Sequence, residues 1–282
     1  MRLTMDRPLP RPLGVTWRPV LIGAYIIANL AMVLLTARPS IEQPDWALWS
    51  ALRPAIEAGH MYDTGPTEAH FAWSPVAGYV MAGVAEWVGY WPWLILHVAA
   101  VLLLLNDRLL TLLVLVSWGF WIDAVAGNTY TFSFVAGALA LRANRPAALV
   151  YMALLFLMPR PILLPLAAWI VWRMPEIRWP AAALFVMHGL VVLASGYAVE
   201  WMMSARATTD IVGNYGPTYV FGWAWLVVGI PLGVWLALRG HLGWAGVAVS
   251  PYLLPAYWLT PLWELSHSPG NTRGGRLHLH RR

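Results

Sequence analysis

Apolar stretches separated by short polar turns run through most of this chain. They fall at about 19–37, 73–90, 91–106, 109–126, 129–141, 146–158, 161–172, 179–199, 219–238 and 241–265. A membrane-crossing helix needs about 20 mostly apolar residues. The pattern therefore predicts an all-α polytopic membrane protein with roughly eight to ten transmembrane helices or partial spans. Several stretches are shorter than a full span, which a tilt, a re-entrant turn or a proline break accommodates. Polar segments divide the chain into a tail at 1–18, a membrane domain at 19–265 and a second tail at 266–282. A large loop at 38–72 and a smaller one at 200–218 interrupt the membrane domain.

The large loop has a pattern of its own. Trp46, Trp49, Leu52 and Ile56 recur at helical spacing, with Ser50, Arg53 and Glu57 on the other faces. This predicts an amphipathic helix lying in the membrane interface, where tryptophan is favoured. Pro54 is expected to split or kink it near Arg53, and Gly59 is a natural stop. Asp45, just after Pro44, has two readings. It caps the helix N-terminus, or it is a catalytic base held at the membrane surface.

Composition agrees with the apolar pattern. Hydrophobic residues make up 60% and charged residues 11%, against about 25% charged in soluble domains. A chain this poor in charge cannot cover a soluble surface. With no cysteine, disulfides and thiolate metal sites are excluded. All eighteen basic residues are arginine. Arg2, Arg7, Arg11 and Arg18 against Asp6 alone place the first tail in the cytoplasm by the positive-inside rule. The acid-rich 38–72 loop is then external, and no cleavable signal peptide is expected. One conflict follows. If every stretch spans, Arg142 and Arg145 fall outside, where the rule disfavours them; one stretch is therefore expected not to cross.

Within the first loop, Asp45-Trp-Ala-Leu-Trp49, Gly59-His-Met-Tyr62 and Phe71-Ala-Trp-Ser-Pro75 stand in order before the next apolar stretch. This order resembles the first loop of polyprenyl-phosphate-sugar-dependent glycosyltransferases of the C-type membrane fold, closest to glycosyltransferase family 87, the α-mannosyltransferase type. Later pieces resemble that family too. Gly127-Asn128-Thr129-Tyr130 stands where the family has Gly-Gln-x-Asn. Pro159-Arg160-Pro161 stands near its Lys-Pro-x-Pro, and Ser250-Pro251-Tyr252 resembles a late Ser-Pro motif. Asn128 departs from the family glutamine. With no lysine in the chain, any phosphate contact falls to arginine.

The resemblance implies transfer of a sugar, mannose in that family, from a polyprenyl-phosphate donor to a lipid or glycan acceptor. Such transfer needs a carboxylate for the acceptor proton and a cation for the leaving phosphate. Asp45 is the expected base, with Asp63, Glu68 and His70 on the same loop as alternatives. Arg160 is the foremost phosphate ligand, because arginine in an apolar run costs about 2.5–3.5 kcal/mol on insertion scales; the alternative is an ordinary loop arginine. Arg53, Tyr62, Asp63, His70, Asn128 and Tyr130 complete the expected substrate-binding set. Asp123, inside an apolar stretch, is either functional or a cap near the Gly127–Asn128 turn. His97 and His188 read as packing histidines. No cofactor is expected, and a divalent metal requirement is left open. The expected partners are the lipid-linked sugar, its acceptor and membrane lipids, with no nucleic acid. The expected location is the bacterial inner membrane. The rival expectation is a non-enzymatic membrane protein, either a transporter of a lipid-linked substrate or a degenerate relative serving as an assembly partner.

Overall fold

A computed structural model describes residues 20–30 (without 21 and 28), 44–63, 73–207, 217 and 221–266. Among the described residues every regular element is helical. The main helices are α1 (Pro44–Glu57), α2 (Pro75–Trp87), α3 (Tyr90–Leu104), α4 (Arg108–Leu115), α5 (Trp118–Ala126), α6 (Tyr130–Ala140) and α7 (Arg145–Leu157). They continue as α8 (Leu164–Arg173), α9 (Arg178–Ala194), α10 (Ala198–Ala207), α11 (Trp225–Leu238), α12 (Leu242–Val249) and α13 (Trp263–Ser266). Local sequence sets several boundaries. Ser74 caps α2 and Asn144 caps α7, each accepting a backbone N–H and each followed by a proline in the first turn.

Among these residues one helical run, Pro175–Ala194, is long and apolar enough to cross a membrane. The expected stretches 73–90 and 91–106 become α2 and α3, bent 107° apart at Gly89, and 109–126 becomes α4 and α5, bent by 65°. Counting each bent pair as one span gives up to three. The other apolar helices have 10–17 residues.

The first-loop helix forms, with corrections. Pro54 does not split it: α1 runs unbroken from Pro44 to Glu57. The proline lies in the last turn, where its missing N–H removes a single hydrogen bond. Trp46 and Trp49 are not lipid-facing anchors. They are buried with Leu48 and Leu52 against Ala77, Met81 and Ala82 of α2, next to Met61 and Met158. Gly59 ends the helix as expected, at φ +76°, with the His60 N–H reaching the Ala55 carbonyl at 2.8 Å.

The larger core gathers α3 to α8 around the segment 252–265. Its turns fall into two groups. At one end Arg142 pairs with Asp107 at 3.8 Å and Arg145 with Glu176 at 2.6 Å, which brings the turns 105–108, 141–145 and 173–178 together. At the other end Tyr90 donates to the Val125 carbonyl, Trp93 Nε1 to the Gly127 carbonyl and Ser74 to the Leu157 carbonyl. Both ends of α2 thus lie beside the 125–129 turn.

Close helix packing depends on glycine. A Cβ at Gly246 of α12 would meet the Ile162 carbonyl, whereas one at Gly189 of α9 would meet nothing within 4 Å. Gly246→Ala should therefore destabilise by about 1–3 kcal/mol through overpacking. Gly189→Ala should be neutral or stabilising by up to about 1 kcal/mol. Thermal unfolding of the two purified variants in one detergent measures the contrast.

Candidate functional site

The turn between α5 and α6 organises the site. Asp123, on the last turn of α5, is 1% exposed, and its carboxylate accepts from three donors at the start of α6. These are Tyr130 N at 3.3 Å, Thr131 N at 2.6 Å and Thr131 Oγ1 at 2.7 Å. A carboxylate here also faces the positive end of the helix dipole. Of its two expected roles, the cap near the Gly127–Asn128 turn is the one these contacts describe.

Gly127 follows in the left-handed region, at φ +87°. Only a residue without Cβ fits, because Trp46 of α1 packs directly against it. That approach brings Asp45 beside the turn. Asp45 sits within the first turn of α1 rather than before it, and its carboxyl hydrogen bonds to the Asn128 side chain. From the opposite side α3 fixes the same turn. The His97 ring is fully buried, with Nε2 at 2.8 Å from the Asn128 carbonyl and Nδ1 at 2.9 Å from the Trp93 carbonyl. His97 is the packing histidine expected from the sequence, and it also holds the site's central turn.

Arg160 enters from the 158–160 turn after α7 and is 1% exposed. Its guanidinium donates to Asn128 Oδ1 and, at 3.2 Å, to Thr129 Oγ1. The Trp73 ring lies 4.6 Å away and the Tyr130 ring 5.4 Å away, both in cation–π range. No carboxylate of the described residues lies within ion-pairing distance of it, and its Nε has no hydrogen-bond partner among them. A buried cation lacking an anionic partner is costly, by several kcal/mol. The two acids of the site are near enough to interact with one another. Burial, with Asp123 adding to it, pushes the Asp45 carboxyl up to about 7, while Arg160 and the Asn128 hydrogen bond oppose the rise.

The structure therefore joins Asp45, Asn128, Tyr130 and Arg160 of the expected set in one cluster. Tyr62 touches it indirectly, donating at 2.7 Å to the carbonyl of Trp73, whose ring lies over Arg160. Arg53 lies apart on an exposed face, paired with Glu57 at 3.0 Å and with Glu86. Asp63 is exposed. His70 lies outside the described residues. Sequence reasoning did not single out Thr129, or Tyr257 and Thr260 behind Tyr130. Thr129 adjoins the Gly127–Asn128 pair, which was the available signal; nothing local marks Tyr257 or Thr260. No group of three or more metal-ligating side chains occurs among the described residues.

No family model, characterised protein or solved structure matches the chain. The cluster is thus read from its own chemistry: a buried guanidinium, an amide bridging it to a carboxyl, and aromatic faces around the cation.

Asp123→Ala should leave three donors without their acceptor. The expected loss is about 1–3 kcal/mol of stability, with Asp123→Asn retaining part of it. Thermal unfolding of both variants tests this assignment, and equal midpoints for wild type and Asp123→Ala would refute it.

Proposed function

We propose that this chain is an integral membrane glycosyltransferase that moves a sugar, mannose by its resemblance, from a polyprenyl-phosphate donor to a lipid or glycan acceptor. The observation carrying the proposal is the buried Arg160 guanidinium, which among the described residues has polar and aromatic contacts and no carboxylate within ion-pairing distance. A phosphate supplies the missing negative charge. Asp45, bridged to the same cluster through Asn128, supplies a carboxyl with an affinity for protons suited to a base near neutral pH.

In the proposed step the acceptor hydroxyl oxygen attacks the anomeric carbon of the sugar. The carbon–oxygen bond to phosphate breaks, and the bonding pair leaves with polyprenyl phosphate beside Arg160. The hydroxyl proton passes to Asp45. Burial makes the Asp45 carboxylate a stronger base, and the Arg160 charge stabilises the leaving phosphate.

Burial also favours the second reading. Asn128 is 8% and Thr129 3% exposed, so the cluster is equally placed to serve as the polar core of a non-enzymatic relative. Donor binding and turnover separate the two. Arg160→Met should insert normally yet bind polyprenyl phosphate at least tenfold more weakly, and unchanged affinity in a folded variant removes Arg160 from the site. Asp45→Asn should lower transfer by roughly 10²–10⁴-fold with donor affinity retained.

The pH dependence has a definite sign. Asp45 is raised from its ordinary value to about 7, so the working carboxylate is depleted below that pH. The transfer rate should climb as pH rises through about 7. Stability responds in the opposite direction: the folded state holds more protons than the unfolded one between the two values, so this group's contribution falls as pH rises across that window. A rate profile flat from pH 5.5 to 8.5 would remove Asp45 as the base.

A further inference from the structure

We propose that the end of the bundle opposite Asp45 is a binding face for anionic phospholipid headgroups, and that α2 stays at the Asp45 end without crossing the bilayer. This rests on the membrane reading above and not on sugar transfer.

Charge is sorted between the two ends. The turns away from Asp45 carry Arg108, Arg142, Arg145, Arg173, Arg178 and Arg239. Ion pairs join the turns 105–108, 141–145 and 173–178. The 239–241 turn reaches the same side through Glu264, which contacts His241 and the Gly243 N–H. Its neighbour Trp263 packs beside Gly137 in the second half of α6. Among the described residues the acids at this end are Asp107, Glu176 and Glu264. Among the described residues the Asp45 end reverses the balance, holding Asp45, Glu57, Asp63, Glu86, Asp123 and Glu200 against Arg53, Arg160 and Arg206.

The arginines are available to an outside anion. Arg145 is 70% exposed despite its glutamate. Arg173 and Arg239 lie over Trp172 and Trp235 without carboxylate partners among the described residues. Exposed tryptophans mark both ends, with Trp172, Trp179 and Trp235 beside the arginines and Trp87, Trp91 and Trp223 at the Asp45 end. Between them α9 and α11 expose leucine, valine and phenylalanine. Tryptophan at both borders of an apolar band, with arginine beyond one border, is the pattern of a protein seated in a bilayer whose cytoplasmic leaflet is anionic.

The position of α2 settles the side on which Arg142 and Arg145 lie. Ser74 before it bonds the Leu157 carbonyl, and Tyr90 and Trp93 after it bond carbonyls of the 125–127 turn. A helix with both ends at one level does not cross. From α3 onward the chain runs back and forth between the two ends through α4–α5, α6, α7, α8, α9 and α11. All six arginines fall on one side.

Two experiments test this on the full chain. The protein has no cysteine, so single cysteines report cleanly. His60→Cys and Asn106→Cys should differ in labelling by an impermeant maleimide in intact cells, with only position 60 modified. Labelling of both positions, or of neither, overturns the non-crossing α2. Purified protein in vesicles of phosphatidylglycerol should unfold at a midpoint about 2–4 °C above that in phosphatidylcholine. The triple variant R108Q/R173Q/R239Q should lose most of that difference. Equal midpoints for wild type in the two lipids, or an undiminished difference in the triple variant, overturn the headgroup face. Neither readout depends on transferase activity.

Discussion

A buried guanidinium constrains everything around it, and Arg160 is that constraint here. It cannot lose its charge, so its surroundings must compensate. Asn128 and Thr129 give it acceptors, Trp73 and Tyr130 give it aromatic faces, and Met158 brings a sulfur to 3.9 Å. Asn128, Thr129 and Tyr130 come from the start of α6, Trp73 from the segment between α1 and α2 and Met158 from the end of α7, so burying one side chain fixes the relation of α1–α2, α5–α6 and α7–α8. The compensation remains incomplete, since dipoles and π faces do not replace a negative charge.

The 123–131 turn makes that compensation possible. Asp123 caps α6, Gly127 takes the left-handed backbone, and His97 and Trp93 hold the carbonyls of Asn128 and Gly127. The Asn128 side chain is then aimed between Asp45 and Arg160. It joins the two groups that the proposed chemistry needs while keeping them from forming a closed ion pair. A direct Asp45–Arg160 pair would satisfy the cation internally and lower the carboxyl's proton affinity. The amide spacer leaves both groups with unmet electrostatic demand, which an incoming phosphate and an acceptor hydroxyl can meet.

The same division recurs across the described residues. Acids collect with the site and arginines at the far end, while the exposed flanks of α9 and α11 remain apolar. Helices with few charges cannot sort themselves by surface polarity as soluble helices do. Here most of the described charges lie at or near helix ends, and helix direction decides which end of the bundle each one joins.

Much of this was written in the local sequence. Apolar runs identified the helices, and the spacing of Trp46, Trp49 and Leu52 gave the buried face of α1. Gly59 gave its end, and the isolation of Arg160 within an apolar run marked it as unusual. These are properties of neighbours a few residues apart, where backbone geometry and periodicity act directly. The tertiary structure alone decided what those features face. Trp46 and Trp49 turned from the interface to α2, because a helix lying beside another buries its aromatics there. Pro54 stayed inside a helix because its missing hydrogen bond was one among many packed contacts. The bend at Gly89 kept α2 at one end, and Arg53 found two glutamates instead of the site. The meeting of Asp45, Asn128 and Arg160 could not be read from any spacing. It depends on a glycine small enough for Trp46 to pack against, a contact between distant segments that periodicity does not encode.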